Sequence, residues 1–311
     1  MDRSLYKIAN VNRMDPFLMT ITSGEDHWMY LSSTGCLTAG RKKAEHALFP
    51  YVTDDLLHRN AHFTGPVTVI RIKKNNKNLI WRPFSRYEGS YETEQNLYKN
   101  SLGNIVLFEE INHSLGLTFI YEWQSSAKYG FVRKSRLANH HSNVLNVKLV
   151  DGLRNIMPAG VELRTQQEMS NLANAYKVSE YSPDFNCALF FMNALLMDRP
   201  EPGESLYSNL VWSYYNGKKI ISVSEEDIDQ FADSGTLNGA HLIKGKPGCF
   251  LTKIEENLEP EDEMYWYTVA DVNKTQSEIT HIISDLRDTS KIELKLEESI
   301  RENHLFLEDA V

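Results

Sequence analysis

Several groups of side chains have the types and spacing that chemistry on a polar substrate requires. His140 and His141 stand just before an alternating segment, Val144 to Val150. A strand-borne histidine beside a carboxylate suits acid/base proton transfer, because imidazole titrates near neutrality. Asp151 and Glu162 are the carboxylates that follow. Adjacent strand residues point to opposite faces, so at most one of the two histidines lines any site. A hydrogen-bonded surface or core histidine is the commoner role. Asp54 and Asp55 are neighbours in the run PYVTDD. Two carboxyl groups can flank a glycosidic bond, yet adjacent acids rarely converge, and a turn or helix N-cap is their commoner role. Arg41 can form a bidentate pair with a carboxylate. Trp81, Tyr87 and Tyr91 offer rings that can stack on a sugar face, with acids and amides to bind hydroxyls.

Arg41 belongs to an unusual segment, Ser33 to Asp55, STGCLTAGRKKAEHALFPYVTDD. Gly35 and Gly40 permit tight turns there, and Phe49, Pro50 and Tyr51 form an aromatic–proline cluster. The pattern is that of an ordered loop, which either carries function or seals one end of a domain.

Other chemistries are missing their signatures. The sequence has no phosphate-binding or dinucleotide-binding glycine motif, no HExxH and no GxSxG. Cys36, Cys187 and Cys249 lie far apart, with no CxxC and no Cys/His ligand spacing. They imply reduced thiols in a cytoplasmic protein, no metal and no cofactor. The formal net charge of −9 repels a phosphate backbone, so nucleic acid is not an expected partner. Nor is a membrane: the longest apolar run, Cys187 to Met197, contains Asn193 and falls short of the ~20 residues a span requires. Met1 to Thr20 lacks the pattern of a signal peptide.

The elements that must position these residues are mostly strands. Leu115, Leu117, Phe119, Tyr121 and Trp123 alternate with Gly116, Thr118, Ile120 and Glu122. Leu145, Val147 and Leu149 alternate in the same way, and period two marks a strand with a buried face. Val67–Ile72 and Asn78–Arg82 read as a hairpin about Asn75 and Asn76. Further strands are expected at 105–108, 188–196, 211–215, 220–223 and 264–269. Helices are fewer. Thr165 with Glu168 and Thr275 with Glu278 have capping-box spacing. The first precedes Met169, Leu172, Ala173 and Tyr176. The second precedes an apolar stripe of Ile279, Ile282, Ile283 and Leu286. Ser224 can cap a short helix that ends near Gly235, and Ile292 to Leu307 suggests a final amphipathic helix whose start reads equally as a strand. Many short strands with frequent turns argue for a mainly β sandwich.

Three segments carry a resemblance: Ser33–Asp55, then WRPFSRYEG from Trp81, then LVDGLRNIMPAGVE from Leu149 to Glu162. The later run PEPGESLYSNLVWSYYNG, with Trp212, agrees with them. Together they resemble the front domain of the cellobiose phosphorylase-like carbohydrate-active enzymes, over about Asn10 to Asp271. The resemblance implies an antiparallel two-sheet super-sandwich, galactose mutarotase-like in shape, over residues 1–273. A helical linker over 274–311 would follow, leading to an (α/α)6 barrel that holds the catalytic carboxylates and is absent from this chain. It thus implies a non-catalytic domain of a glycoside phosphorylase or hydrolase, with the barrel of the same parent protein as partner. An oligosaccharide and a second copy of the chain are further partners this reading allows. Two alternatives stand beside it: a free-standing carbohydrate-binding module, and a mutarotase-like sugar epimerase using His140 or His141 with Glu162. The residues expected to contact carbohydrate are Arg41, Tyr51, Asp54, Asp55, Trp81 and Arg82.

Overall fold

The alternating runs become strands. The structure, a computed structural model, describes residues 4–52, 54–74, 77–85, 90–194 and 205–310; of Asp54, Asp55 and Lys74 only the backbone is described. Among the described residues the strands begin with β1 (Leu5–Ile8), β2 (Leu18–Thr20), β3 (His27–Ser32), β4 (Leu37–Arg41), β5 (Ala47–Phe49) and β6 (Gly65–Lys74). Next come β7 (Lys77–Trp81), β8 (Thr93–Asn100), β9 (Val106–Asn112), β10 (Leu117–Ser126), β11 (Gly130–Asn139) and β12 (Leu145–Ile156). The last are β13 (Lys177–Ser182), β14 (Cys187–Met192), β15 (Tyr207–Tyr214), β16 (Lys219–Ser222), β17 (Leu242–Lys244), β18 (Gly248–Leu258) and β19 (Glu263–Thr275). The helices are α1 (Asp54–Arg59), α2 (Leu163–Glu168), α3 (Ser170–Tyr176), α4 (Glu226–Ser234), α5 (Gln276–Arg287) and α6 (Ile292–Asp309).

The strands form antiparallel sheets. Ten run in the order β1-β8-β9-β10-β11-β19-β15-β14-β13-β17, five in the order β16-β18-β12-β6-β7, and four in the order β2-β3-β4-β5. This is the mainly β, antiparallel sandwich read from the sequence, with a small third sheet added at the N-terminal end. Phe119, Trp123, Leu137 and Trp266 face inward from the ten-stranded sheet. They meet Ile70, Ile72, Leu149, Leu153, Phe250 and Ile254 of the five-stranded one. Their strand neighbours face outward and are covered as well. Val132, Trp212, Tyr267 and Val269 lie beneath Ile282 and Leu286 of α5 and Ile292 and Leu296 of α6. Val69, Val150 and Leu251 lie beneath Ile228, Phe231 and Ala232 of α4. The three cysteines are free and buried, and burial pushes Cys36 and Cys187 up to about 12.

Local readings fared unequally. The Thr275–Glu278 box forms: the Thr275 N–H donates to Glu278 Oε2 at 2.8 Å, and the Glu278 N–H donates to Thr275 Oγ1 at 3.4 Å. The Thr165–Glu168 box does not. Thr165 lies inside α2, whose N-cap is Glu162, and the helix breaks before α3, leaving Met169 and Leu172 exposed. The N-cap of α4 is Glu225, not Ser224, and Gly235 ends that helix in the left-handed region at φ 76°. The Ser33–Asp55 segment is not one loop: it contains the short strands β4 and β5, with turns around them. There Gly40 serves close packing, since a Cβ at that position would collide with the Trp28 ring and the His46 carbonyl. Ile292 begins a helix, which settles its ambiguity.

A charged pair is set into the inner core. Asp151 of β12 is fully buried. Its Oδ2 accepts from Arg133 Nη1 at 2.7 Å, Trp266 Nε1 at 2.6 Å and Ser135 Oγ at 3.2 Å; its Oδ1 accepts from Thr68 Oγ1 at 2.6 Å. The Arg133 guanidinium lies 4.5 Å from the Tyr121 ring centroid. Its Nε and Nη2 are buried without a hydrogen-bond partner among the described residues. Removing the carboxylate would leave that charge uncompensated. Asp151→Ala is therefore expected to cost ~3–5 kcal/mol, and the double variant Arg133→Met/Asp151→Leu much less. Urea denaturation checks both; a loss below ~1 kcal/mol for the single variant contradicts this account.

Candidate functional site

The five-stranded sheet runs out along half of one strand, and a cavity lies there. β6 pairs with β7 only from Ile70 onward, where Ile70 faces Trp81. Gly65–Val69 have β12 on one side and, among the described residues, a free edge on the other. The cavity beside that edge has a volume of about 180 Å³. Arg82 and Phe84 from the segment after β7, Tyr121 of β10, Arg154 of β12, and Glu225 and Asp229 at the start of α4 line it. His62 and Thr34 line it as well.

Each of these groups is held in place by a specific feature. Phe84 adopts φ 62°, a conformation bulky residues rarely take. Buried Glu110 of β9 fixes it, accepting from the Phe84 N–H at 2.5 Å, from Trp81 Nε1 at 2.8 Å and from Gln95 Nε2 at 2.7 Å. The Phe84 ring then packs edge-on against Tyr121, with centroids 5.3 Å apart. Arg154 precedes a β-bulge. The register of β12 against β18 shifts between Arg154 and Ile156, Asn155 has φ 56°, and Asn155 Nδ2 donates to Thr64 Oγ1 at 2.8 Å. Bulges re-aim the side chains beside them. Burial lowers the Arg154 pKa from its ordinary value, opposed by the charge of Glu225. α4 is anchored by a bond from Ser222 Oγ to buried Asp227 at 2.5 Å, and by Arg71, which donates to the carbonyls of Phe231 and Ala232. That places Asp229 3.6 Å from Arg82.

Phe84 is also a partition. Beyond it lies a second hollow of about 660 Å³, which shares Thr34, Phe84 and Ser85 with the first and is lined by Tyr91, Glu92 and Gln95. The two spaces together offer guanidinium donors, carboxylate acceptors and aromatic faces. Such a lining holds a small polar ring by hydrogen bonds.

The residues singled out from the sequence are scattered. Arg82 lines the cavity and Tyr91 the second hollow. Trp81 is a correction: it is 1% exposed, with its indole spent on Glu110, so no sugar face reaches it. Arg41 finds carboxylates, but within the chain. Its Nε donates to Asp26 at 2.5 Å and its Nη1 to Asp271 at 3.2 Å, and Lys274 also pairs with Asp271 at 2.7 Å. This clasp ties β4 to β19. Tyr51, 36% exposed, packs edge-on against Trp28 at 5.5 Å. Asp54 and Asp55 open α1, and Tyr87 lies outside the described residues. The His–Glu162 pair does not assemble. His140 is bonded to Thr118 at 2.9 Å before the start of β12, Glu162 follows its end, and the 12 residues of β12 itself span roughly 36 Å. Asp151, the other carboxylate considered, is committed to Arg133. Sequence reasoning missed Phe84, Arg154, Glu225 and Asp229. The break in alternation at Asn155 is a signal for Arg154; none marks the two acids.

Among the described residues no group of three or more His, Cys, Asp or Glu side chains is placed to hold a metal ion. No helix there is long and apolar enough to cross a membrane.

No protein-family model and no curated protein matches the sequence. Solved structures do match at low identity. A protein described as a kojibiose phosphorylase from the human microbiome is 10% identical over 78% of this chain and 28% of its own, with a TM-score of 0.41. A bacterial glucoamylase complexed with acarbose is 8% identical over 96% of this chain and 40% of its own, also at 0.41. A GalM/aldose epimerase homologue from C. elegans is 10% identical over 84% of this chain and 100% of its own, at 0.45. The chain thus spans well under half the length of the first two. At such identities no residue role transfers from them.

The Arg41 clasp generates a pH prediction. His27 lies beside it, with Nδ1 3.0 Å from Ser23 Oγ, its ring 4.9 Å from that of Phe131, and Nε2 buried without a partner among the described residues. Burial first, and then the Arg41 charge, push it down to about 3. An unfolded histidine titrates near 6.5, so between pH 6.5 and 3 the unfolded chain binds the extra proton. Stability therefore falls as pH drops through that window, with a slope from this group of up to ~1.4 kcal/mol per unit. His27→Gln is expected to flatten the slope, measured by urea denaturation at several pH values; an unchanged slope contradicts this.

Proposed function

We propose that this chain is the sandwich domain of a carbohydrate-active protein, and that its own part is to hold a saccharide in the cavity beside the free edge of β6. The lining of that cavity carries the reading. Arg82 and Arg154 donate, Glu225 and Asp229 accept, and Phe84 supplies a ring. Those are the groups that a hydroxyl-rich ring binds. The volume of about 180 Å³ lies below the ~300–1,000 Å³ of drug-sized pockets, which suits one sugar unit. The hollow beyond Phe84 gives an oligosaccharide room to continue. Two of the segments that resemble the cellobiose phosphorylase-like enzymes, WRPFSRYEG and LVDGLRNIMPAGVE, supply Arg82, Phe84 and Arg154. A supporting role beside a barrel elsewhere in a longer protein extends the same reading. A cytoplasmic location fits the three free, buried thiols.

Calorimetry of the chain against neutral and acidic mono- and oligosaccharides tests this. Binding of at least one class is expected with Kd between micromolar and millimolar, about −8 to −4 kcal/mol. Asp229, whose side chain is 83% exposed, can be removed without disturbing the fold. Asp229→Ala is expected to weaken binding about 2- to 12-fold, the worth of one hydrogen bond. No binding by any member of the panel at millimolar concentration removes the reading.

A further inference from the structure

Positive and negative groups around the cavity differ in burial. Glu225 and Asp229 stand exposed on the rim, where water screens them, and Arg82 stays partly exposed beside Asp229. Arg154 is drawn beneath the rim. Its Nε is buried with no hydrogen-bond partner among the described residues. The residues opposite it in the sheet, Gly65 and Cys249, offer no strong acceptor side chain. A guanidinium N–H buried without a hydrogen-bond partner is costly even with the Glu225 charge nearby, and a charge below the surface is felt more strongly than one on it. The bulge that puts it there carries a cost of its own, the left-handed backbone of Asn155. Strain and desolvation thus coincide at one cation facing a cavity.

We infer that the cavity takes an acidic sugar, a saccharide unit bearing a carboxylate or sulfate group that accepts from Arg154. This rests on the saccharide reading above and narrows its substrate class. A planar carboxylate or a sulfate edge matches the guanidinium fork with two parallel hydrogen bonds. The rim acids then accept from the ring hydroxyls and repel the anionic group, so the sugar enters with its acidic end toward Arg154.

The test compares a glucuronic acid-containing disaccharide, a sulfated disaccharide and a neutral glucose disaccharide, titrated into the full chain at low and moderate salt. At least one acidic ligand is expected to bind ten times more tightly than the neutral one or better, and to weaken as salt rises. Which acidic ligand wins distinguishes carboxylate from sulfate. Arg154→Gln is expected to abolish the acidic preference, so that acidic and neutral ligands bind the variant alike, and not to lower the melting temperature. Equal affinity of all three ligands for the unaltered chain overturns the inference while leaving the saccharide reading in place. An acidic preference that survives Arg154→Gln does the same. Absence of all binding removes both.

Discussion

The carboxylate of Asp151 is the fixed point on which the two large sheets register. A charge in the middle of an apolar sandwich is tolerated only if its lone pairs are filled. Filling them draws Arg133, Ser135 and Trp266 from one sheet and Thr68 from the other to a single position. A slip of one residue in β12 would turn Asp151 to the outer face and leave Arg133 stranded. The pair thus selects one packing among the many that a set of apolar faces would allow.

That constraint reaches the cavity through a short chain of contacts. Arg133 lies over Tyr121, Tyr121 packs against Phe84, and Phe84 is held in its unusual conformation by Glu110. A second buried carboxylate therefore does for the cavity wall what Asp151 does for the sheets. Thr68 sits on the half of β6 that β7 leaves unpaired. The site arises where the sheet stops: β7 ends at Trp81, the chain turns through Arg82–Phe84, and the bulge at Asn155 tilts Arg154 toward the opening. Rigid strands place the groups, and two residues with left-handed backbone, Phe84 and Asn155, stand beside the cavity.

The helices finish the sandwich. Both outer faces are apolar and both are covered from within the chain, one by α5 and α6 and the other by α4. This is why β10, β11 and β12 are buried along most of their length, where a half-exposed sheet would alternate. α4 serves twice, since its apolar side seals the five-stranded sheet while its first turn brings Glu225 and Asp229 to the rim.

The sequence by itself determined the class of fold and nine of the nineteen described strands. The alternation in Leu115–Trp123 and Leu145–Leu149 is local, and a buried face imposes it residue by residue. The Thr275–Glu278 box was legible because both partners lie within one turn. Thr165–Glu168 has the same spacing and fails, because α2 begins at Leu163 and puts Thr165 inside the helix. Gly40 reads as a turn residue from composition, although its smallness makes room for Trp28. Only the tertiary structure decided the site. Arg82, Arg154 and Asp229 lie more than 70 residues apart in sequence, and nothing local to any of them signals the others. Arg41 and Trp81 have the right chemistry for a ligand, yet folding gives them partners inside the protein, in Asp26, Asp271 and Glu110. Residue type fixes what a side chain can bind; the packing of the sheets fixes which side chains are left facing a cavity.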